Sequence, residues 1–248
     1  MAEDLEVAVI SDVHGNRWAL EVVLADIARR GIQRVMNLGD CLYGPLDPAG
    51  TAELLLDLPA ITVRGNEDRA ITAPARPEDS PTLQYVRASL ASRHLRWLAS
   101  LPLTLVVDDL FYLCHGTPER DDVYLLREVR ERAVALRSAP ALEAMLRSIT
   151  QPVVLCGHDH TPEALLLPRG QLLVNPGSVG LPAYTDDLPF PHAMEAGMPH
   201  ARYGIVSRRG GKWAVEDVVL AYDWEAAARA AEEHGRPDWA AWLRTGRA

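Results

Sequence analysis

Apolar and polar positions along this chain follow two different periods. Short apolar runs rich in β-branched residues occur at Leu5–Val9, Gln33–Leu38 and Ile61–Arg64, as buried strands require. Between and after them, Trp18–Arg30, Ala49–Leu58 and Thr82–Leu98 carry apolar residues at helical spacing. The first of these ends in Arg29-Arg30 and stops at Gly31, a basic last turn followed by a glycine. The pattern predicts a β-α-β-α start, with a proline-rich loop at Pro74–Pro81. Further on, Leu103–Val107 and Leu110–Cys114 predict a hairpin about Asp108-Asp109. Leu125–Leu136 and Ala141–Ile149, separated by Pro140, predict helices, and Val153–Cys156 predicts a short buried strand. Ala164–Leu167, Leu172–Asn175, Tyr203–Val206 and Ala214–Leu220 predict strands of a second, largely antiparallel sheet. An alanine-rich amphipathic helix from Asp223 and a shorter one around Trp239–Leu243 close the chain. Leu181–Arg202 contains Pro182, Pro189, Pro191 and Pro199 and has no clear period, which predicts a long loop without secondary structure.

Composition narrows the classes. A length of 248 residues, 48% hydrophobic and 24% charged, fits one soluble α/β domain spanning 1–248 with a full core. No apolar run reaches the roughly 18 residues of a membrane span, and the acidic start from Met1 to Glu6 lacks the basic segment of a signal peptide, so a cytoplasmic location and no membrane partner are expected. A formal charge of -9 opposes stable nucleic-acid binding, because that depends on Lys and Arg neutralising phosphates. Cys41, Cys114 and Cys156 show no CxxC spacing and are expected to be small buried residues.

The chemistry lies where the predicted strands end. Asp12 and His14 follow the first strand at i, i+2, and a strand end in an open α/β sheet is where ligands bind. Asp40, Asn66, His115, and His158 with His160 follow four more strands. Any one of these has an ordinary explanation, since Asp caps helices and histidines fill cores. Four of the eight histidines at strand ends, in register with two carboxylates and a carboxamide, point to metal. Imidazole, carboxylate and carboxamide without thiolate suit divalent manganese, iron, nickel, cobalt or zinc. Seven ligands exceed one tetrahedral site but serve two ions bridged by one carboxylate, and a pair about 3.5–4 Å apart suits in-line displacement at phosphorus.

The blocks Asp12-Val13-His14, Gly39-Asp40, Gly65-Asn66-Glu67-Asp68, His115 and Gly157-His158-Asp159-His160, taken in order, resemble the calcineurin-like metallophosphoesterase superfamily. The resemblance implies a four-layer αββα sandwich, two mixed sheets face to face with helices outside. It also implies one metal held by Asp12, His14, Asp40 and His160 and a second held by Asp40, Asn66, His115 and His158, with Asp40 as the bridge. Gly39-Asp40 continues Cys41-Leu42-Tyr43-Gly44-Pro45 without the Asp-Arg-Gly of the Ser/Thr phosphatases, and Asn175-Pro176-Gly177-Ser178 looks like the smaller bacterial and archaeal phosphodiesterase branch.

The expected activity is therefore a phosphodiesterase that uses a metal-bridging hydroxide on a small phosphate ester or nucleotide. A phosphomonoesterase of the same fold and a catalytically silent metal-binding scaffold are the alternatives. Asn66, Glu67 and Asp68 are the candidates for a direct part in catalysis. Glu67 replaces an imidazole of the family's phosphatases, and an ordinary Glu, with a pKa of about 4.3, has little proton to give a leaving group near pH 7. Asn16, Gly177 and Ser178 are candidate substrate contacts. His192, His200 and Arg202 are expected to reach the substrate from the 181–202 loop, acting as a cover.

Overall fold

The computed structural model describes residues 4–131 and 133–248. The acidic start invoked against a signal peptide therefore lies partly outside the described residues. In chain order the first half forms β1 (Leu5–Ile10), α1 (Arg17–Arg30), β2 (Val35–Asn37), α2 (Pro48–Asp57), β3 (Ile61–Thr62), α3 (Asn66–Thr72), α4 (Pro81–Ser89), α5 (Ser92–Ser100), β4 (Thr104–Val107) and β5 (Phe111–Cys114). It continues through β6 (Arg127–Arg130), β7 (Ala133–Leu136), α6 (Ala139–Met145), β8 (Val153–Leu155), β9 (Glu163–Leu166) and β10 (Leu172–Asn175). The rest is β11 (Ala183–Asp186), β12 (His192–Glu195), β13 (Ala201–Arg209), β14 (Lys212–Leu220), α7 (Trp224–Glu233) and α8 (Pro237–Thr245).

Two five-stranded mixed sheets result, ordered β14-β13-β1-β2-β3 and β4-β5-β8-β10-β9. Strand periodicity sorts the apolar side chains into layers. Val7 and Val9 of β1 meet Phe111, Leu113, Val153, Leu155 and Val174 in a core between the sheets. Their neighbours Ala8 and Ile10 face the opposite side, where α1, α2, α7 and α8 pack. On the far side of the second sheet, Tyr112, Cys114, Val154 and Leu173 meet Leu142 of α6 and the Leu125-Leu126 segment. This is the expected sandwich, with helices outside two facing sheets. All three cysteines are buried and free.

Three expectations differ. The chain from Leu125 to Leu136 is not a helix: Arg127–Arg130 and Ala133–Leu136 pair antiparallel, Arg127 opposite Leu136. Leu125 and Leu126 are the fully buried members of that segment, and Arg127 and Arg137 carry ion pairs to Glu163 and Glu128. The good helix formers there thus have no apolar stripe to bury, and the hairpin pairing, anchored by those buried leucines and ion pairs, outweighs propensity. Next, β13 and β14 belong to the first sheet, because β13 pairs antiparallel along β1 from Leu5↔Arg208 to Val9↔Gly204. The second sheet is instead mixed, with β5, β8 and β10 parallel. Finally, the 181–202 stretch contains the antiparallel pair β11 and β12 rather than an unstructured loop.

The arrangement aligns the carboxyl ends of β1, β2 and β3 in one sheet and of β5, β8 and β10 in the other. The loops stay paired beyond the sheets. Asp12 N–H donates to Gly39 O, His14 N–H to Asp40 O, and Gly157 N–H to His115 O, at 2.8–3.0 Å. Such proximity needs glycine. A Cβ on Gly65 would stand 2.0 Å from Asp40 Oδ1 and 2.5 Å from its nitrogen. Gly65→Ala is therefore expected to push the Asp40 loop away and to cost about 1–3 kcal/mol, as overpacking does. A urea midpoint equal to the parent's would refute this.

Candidate metal centre

Two clusters form where the sheets meet. Asp12, His14 and His160 bring ligand-type atoms within 4.8 Å of one another, and Asp40, His115 and His158 do the same. The two are contiguous: His14 Nε2 lies 3.9 Å from Asp12 Oδ1 and 4.0 Å from Asp40 Oδ2. His115 Nε2 lies 3.3 Å from Asp40 Oδ2, 3.9 Å from Asp12 Oδ1 and 3.1 Å from Asn66 Oδ1. All seven residues singled out at strand ends are thus brought together.

The backbone holds these side chains in unusual conformations. Asp12, His14, Asp40, His158 and His160 all have φ between 52° and 72°, in the left-handed region that residues with a Cβ seldom enter. Among the described residues, Asp108 and Asp109 of the β4–β5 turn are the other non-glycine cases. Strain repeated at five neighbouring ligand-type residues is characteristic of a functional site, where the surrounding hydrogen bonds impose it.

Hydrogen bonds fix the rings. Nδ1 of His14 donates to Tyr43 O at 2.8 Å, that of His160 to Leu181 O at 2.7 Å, and that of His115 to Leu38 O at 2.8 Å. A ring anchored this way directs Nε2 inward, the usual arrangement of a metal-bound imidazole. Burial, with His160 nearby, lowers His14 to about 4 and so leaves its inward nitrogen a bare lone pair. Yet Nε2 of His14 and Nε2 of His160 stand 3.0 Å apart. Between them and the second cluster, Asp12 Oδ1 is buried 3.3 Å from His160 Nε2 and 3.9 Å from His115 Nε2, without a well-formed hydrogen bond. A buried carboxylate oxygen ringed by inward-facing imidazole nitrogens fits a bound cation. His158 is lowered to about 4 by burial and by His115, while burial of His115 is overridden by Asp40, which raises it to about 10. The residues present therefore fit a divalent metal centre.

Asp68 has a different place from the one expected. It is fully buried, and its carboxylate accepts from the backbone N–H of Asp40, Cys41 and Gly65 at 2.9–3.0 Å. It thus shapes the loop that presents Asp40. Glu67 does face the cleft, with its own N–H donating to Asp40 Oδ1 at 2.9 Å. Burial and the charges of Asp40 and Asp68 push it up to about 8, not the ordinary value assumed from sequence. Dications among those carboxylates act in the opposite direction.

The candidate substrate residues are mostly scaffolding. Asn16 caps α1 through Ala19 N–H and donates to Gly180 O and Tyr222 Oη. Ser178 donates to Asp12 O and accepts from Leu181 N–H, and Gly177 N–H donates to Asn175 Oδ1. Arg202 pairs with Asp217 at 2.6 Å, and His200 packs on Trp224. His192 bonds Tyr124 Oη at 3.0 Å, and the Tyr124 ring lies against His158, so it stands one residue removed from the centre. None of these six lines the cleft over the clusters, which has a volume of about 280 Å³. Its walls are instead Tyr43, Tyr184, Asp186, Arg236, Trp239 and Trp242. The sequence gives only a faint sign of them, two tryptophans at i, i+3 after Arg236, a spacing that ordinary helix packing also produces.

Mixed sheets whose carboxyl ends converge on paired imidazole and carboxylate clusters define a metallophosphoesterase architecture. Residues 5–190 match the calcineurin-like phosphoesterase superfamily domain, and the chain belongs to that family: it is a metal-dependent phosphoric ester hydrolase. It is similar to MJ0912 of Methanocaldococcus jannaschii, with 26% identity over 94% of each chain. Among solved structures, a metallophosphoesterase from Sphaerobacter thermophilus is 25% identical, with a TM-score of 0.77 over 98% of this chain and 100% of that one. A hypothetical protein from Pyrococcus horikoshii, 19% identical, shares the fold with a TM-score of 0.75 over 98% of both. Among the described residues no helix is long and apolar enough to cross a membrane.

Because Asp68 satisfies three buried backbone donors, Asp68→Ala is expected to cost about 3 kcal/mol or more in unfolding free energy. A catalytic role alone would leave the unfolding midpoint unchanged while abolishing turnover. Denaturant titration distinguishes the two.

Proposed function

We propose that the protein is a dinuclear phosphodiesterase acting on small phosphate esters. The observation that carries this is the unpartnered Asp12 Oδ1, buried among inward-facing imidazoles beneath a cleft lined by His14, His158 and His160, in a chain of this family. Asp12, His14, Asp40 and His160 would hold one ion and Asp40, Asn66, His115 and His158 the other, with manganese, iron, nickel, cobalt or zinc all compatible with the donor set. When bound, the pair supplies acidity to a water nucleophile and positive charge for the phosphoryl oxygens.

The chain's own groups do the positioning. The carbonyls of Tyr43, Leu181 and Leu38 lock the imidazoles, and Asp68 fixes the Asp40 loop. Charge around the cleft favours a diester. Glu67, which bound dications would keep ionised, and Asp186 line it, and its cation Arg236 is already engaged by Asp238 at 2.6 Å. A near-dianionic monoester meets more repulsion there than a singly charged diester.

Asp40→Asn is expected to lose turnover and both ions, because a neutral amide is a poor bridge between dications. His160→Ala should release one ion preferentially. Metal analysis showing two ions retained in Asp40→Asn, or equal loss in His160→Ala, would remove the proposed partition.

Glu67 tests substrate class. Replacing it with an imidazole, Glu67→His, should raise turnover of alkyl esters and monoesters relative to aryl diesters, by supplying a proton donor for poor leaving groups and removing a negative charge. The same relative rates in parent and variant would sink the diester reading.

A further inference from the structure

The metal-ligand residues all fall within the 5–190 segment matched to the family, whereas part of the cleft wall comes from residues 236–242, at and just inside the start of α8. That wall is aromatic. The Trp239 ring lies 5.9 Å from that of His14, edge-on, and 6.4 Å from Tyr43. Trp242 follows one helical turn on, its ring 6.2 Å from that of Trp239. Also lining the cleft, the Tyr184 ring lies 4.5 Å from that of His160.

These rings have different relations to solvent. Trp239 is only 4% exposed and belongs to the core that binds α8 to the sheet, which accounts for it structurally. Tyr43, Tyr184 and Trp242 are half-buried and line the cleft. All three also pack against that core, so what sets them apart from Trp239 is the ring surface they leave open to the cleft. Arg236 lies 5.5 Å over the Trp239 ring and is held by Asp238 and Thr82, which makes it a fixed cation at the same wall.

Resting on the phosphoesterase reading above, we propose that the start of α8 is the selectivity element of this enzyme, and that it selects phosphodiesters bearing a nucleobase. The phosphate goes to the metal floor and the base stacks on the part of the Trp242 ring open to the cleft that it lines with the two tyrosines. Every base has a π-face, so the wall favours nucleotides over sugar or alkyl esters without choosing among bases. Arg236, already paired with Asp238, holds its place over the Trp239 ring and leaves the scissile group to the metal floor.

The test compares ligands that differ only in the base. With manganese-loaded protein, calorimetry should show AMP binding about tenfold more tightly than ribose 5-phosphate. Trp242→Leu, which keeps apolar bulk and loses the π-face, should close most of that gap while leaving the affinity for ribose 5-phosphate unchanged. Trp242→Phe should restore part of it. Equal affinities in the parent overturn the proposal, a measurement that needs no variant to fold; so does a gap that survives in both variants. The methyl ester of AMP should likewise be hydrolysed with about tenfold higher kcat/KM than the methyl ester of ribose 5-phosphate. If neither ester is hydrolysed, the phosphodiesterase reading falls, and the AMP gap still decides the role of the wall.

Discussion

The constraint on which this structure turns is the burial of Asp12. Its carboxylate is fully enclosed, with Oδ2 accepting from Ser11 Oγ at 2.5 Å and from His158 N–H at 3.2 Å, and Oδ1 left open toward the imidazoles. A buried anion is tolerated only with compensating charge or hydrogen bonds. The surroundings supply both, for burial alone would raise its pKa while His160, His115 and His14 hold it well below the usual carboxylate range. The left-handed backbone at five ligand-type residues, the close glycines and the inter-loop hydrogen bonds all serve to bring those groups to one oxygen.

Much of this was legible in the sequence. The opening β-α-β-α pattern and the seven strand-end residues follow from apolar periodicity interrupted by polar residues at strand ends, and the two facing sheets from the family resemblance those residues carry. That signal is strong because a buried parallel strand needs a continuous apolar run, and the polar residue that ends it stands out. The 127–136 segment was misread for the opposite reason. Its Leu, Glu, Arg and Ala residues favour a helix locally, yet Arg127–Arg130 and Ala133–Leu136 pair with each other, a hairpin tied at its base by the buried Leu125 and Leu126 and by the ion pair of Arg127 with Glu163. The substrate side was least legible. Asn16 and Ser178 belong to polar motifs beside the ligands, yet their groups are consumed by Gly180, Tyr222, Asp12 and Leu181. The actual wall comes from Trp239 and Trp242, more than 170 residues away along the chain from most of the ligands it adjoins. Aromatic residues at helical spacing look the same whether they fill a core or line a cleft, so only the tertiary structure separates Trp239 from Trp242.

Each ligand set also crosses the sandwich. Asp12 and His14 leave β1 in the first sheet while His160 follows β8 in the second. Asp40 follows β2 in the first sheet, and His115 and His158 follow β5 and β8 in the second. An intermediate that has built one sheet but not docked the other thus possesses neither set. Cation affinity in such a chain is a property of the docked pair of sheets, so ions added during refolding act on the last step of assembly and leave the formation of each sheet to its own apolar contacts.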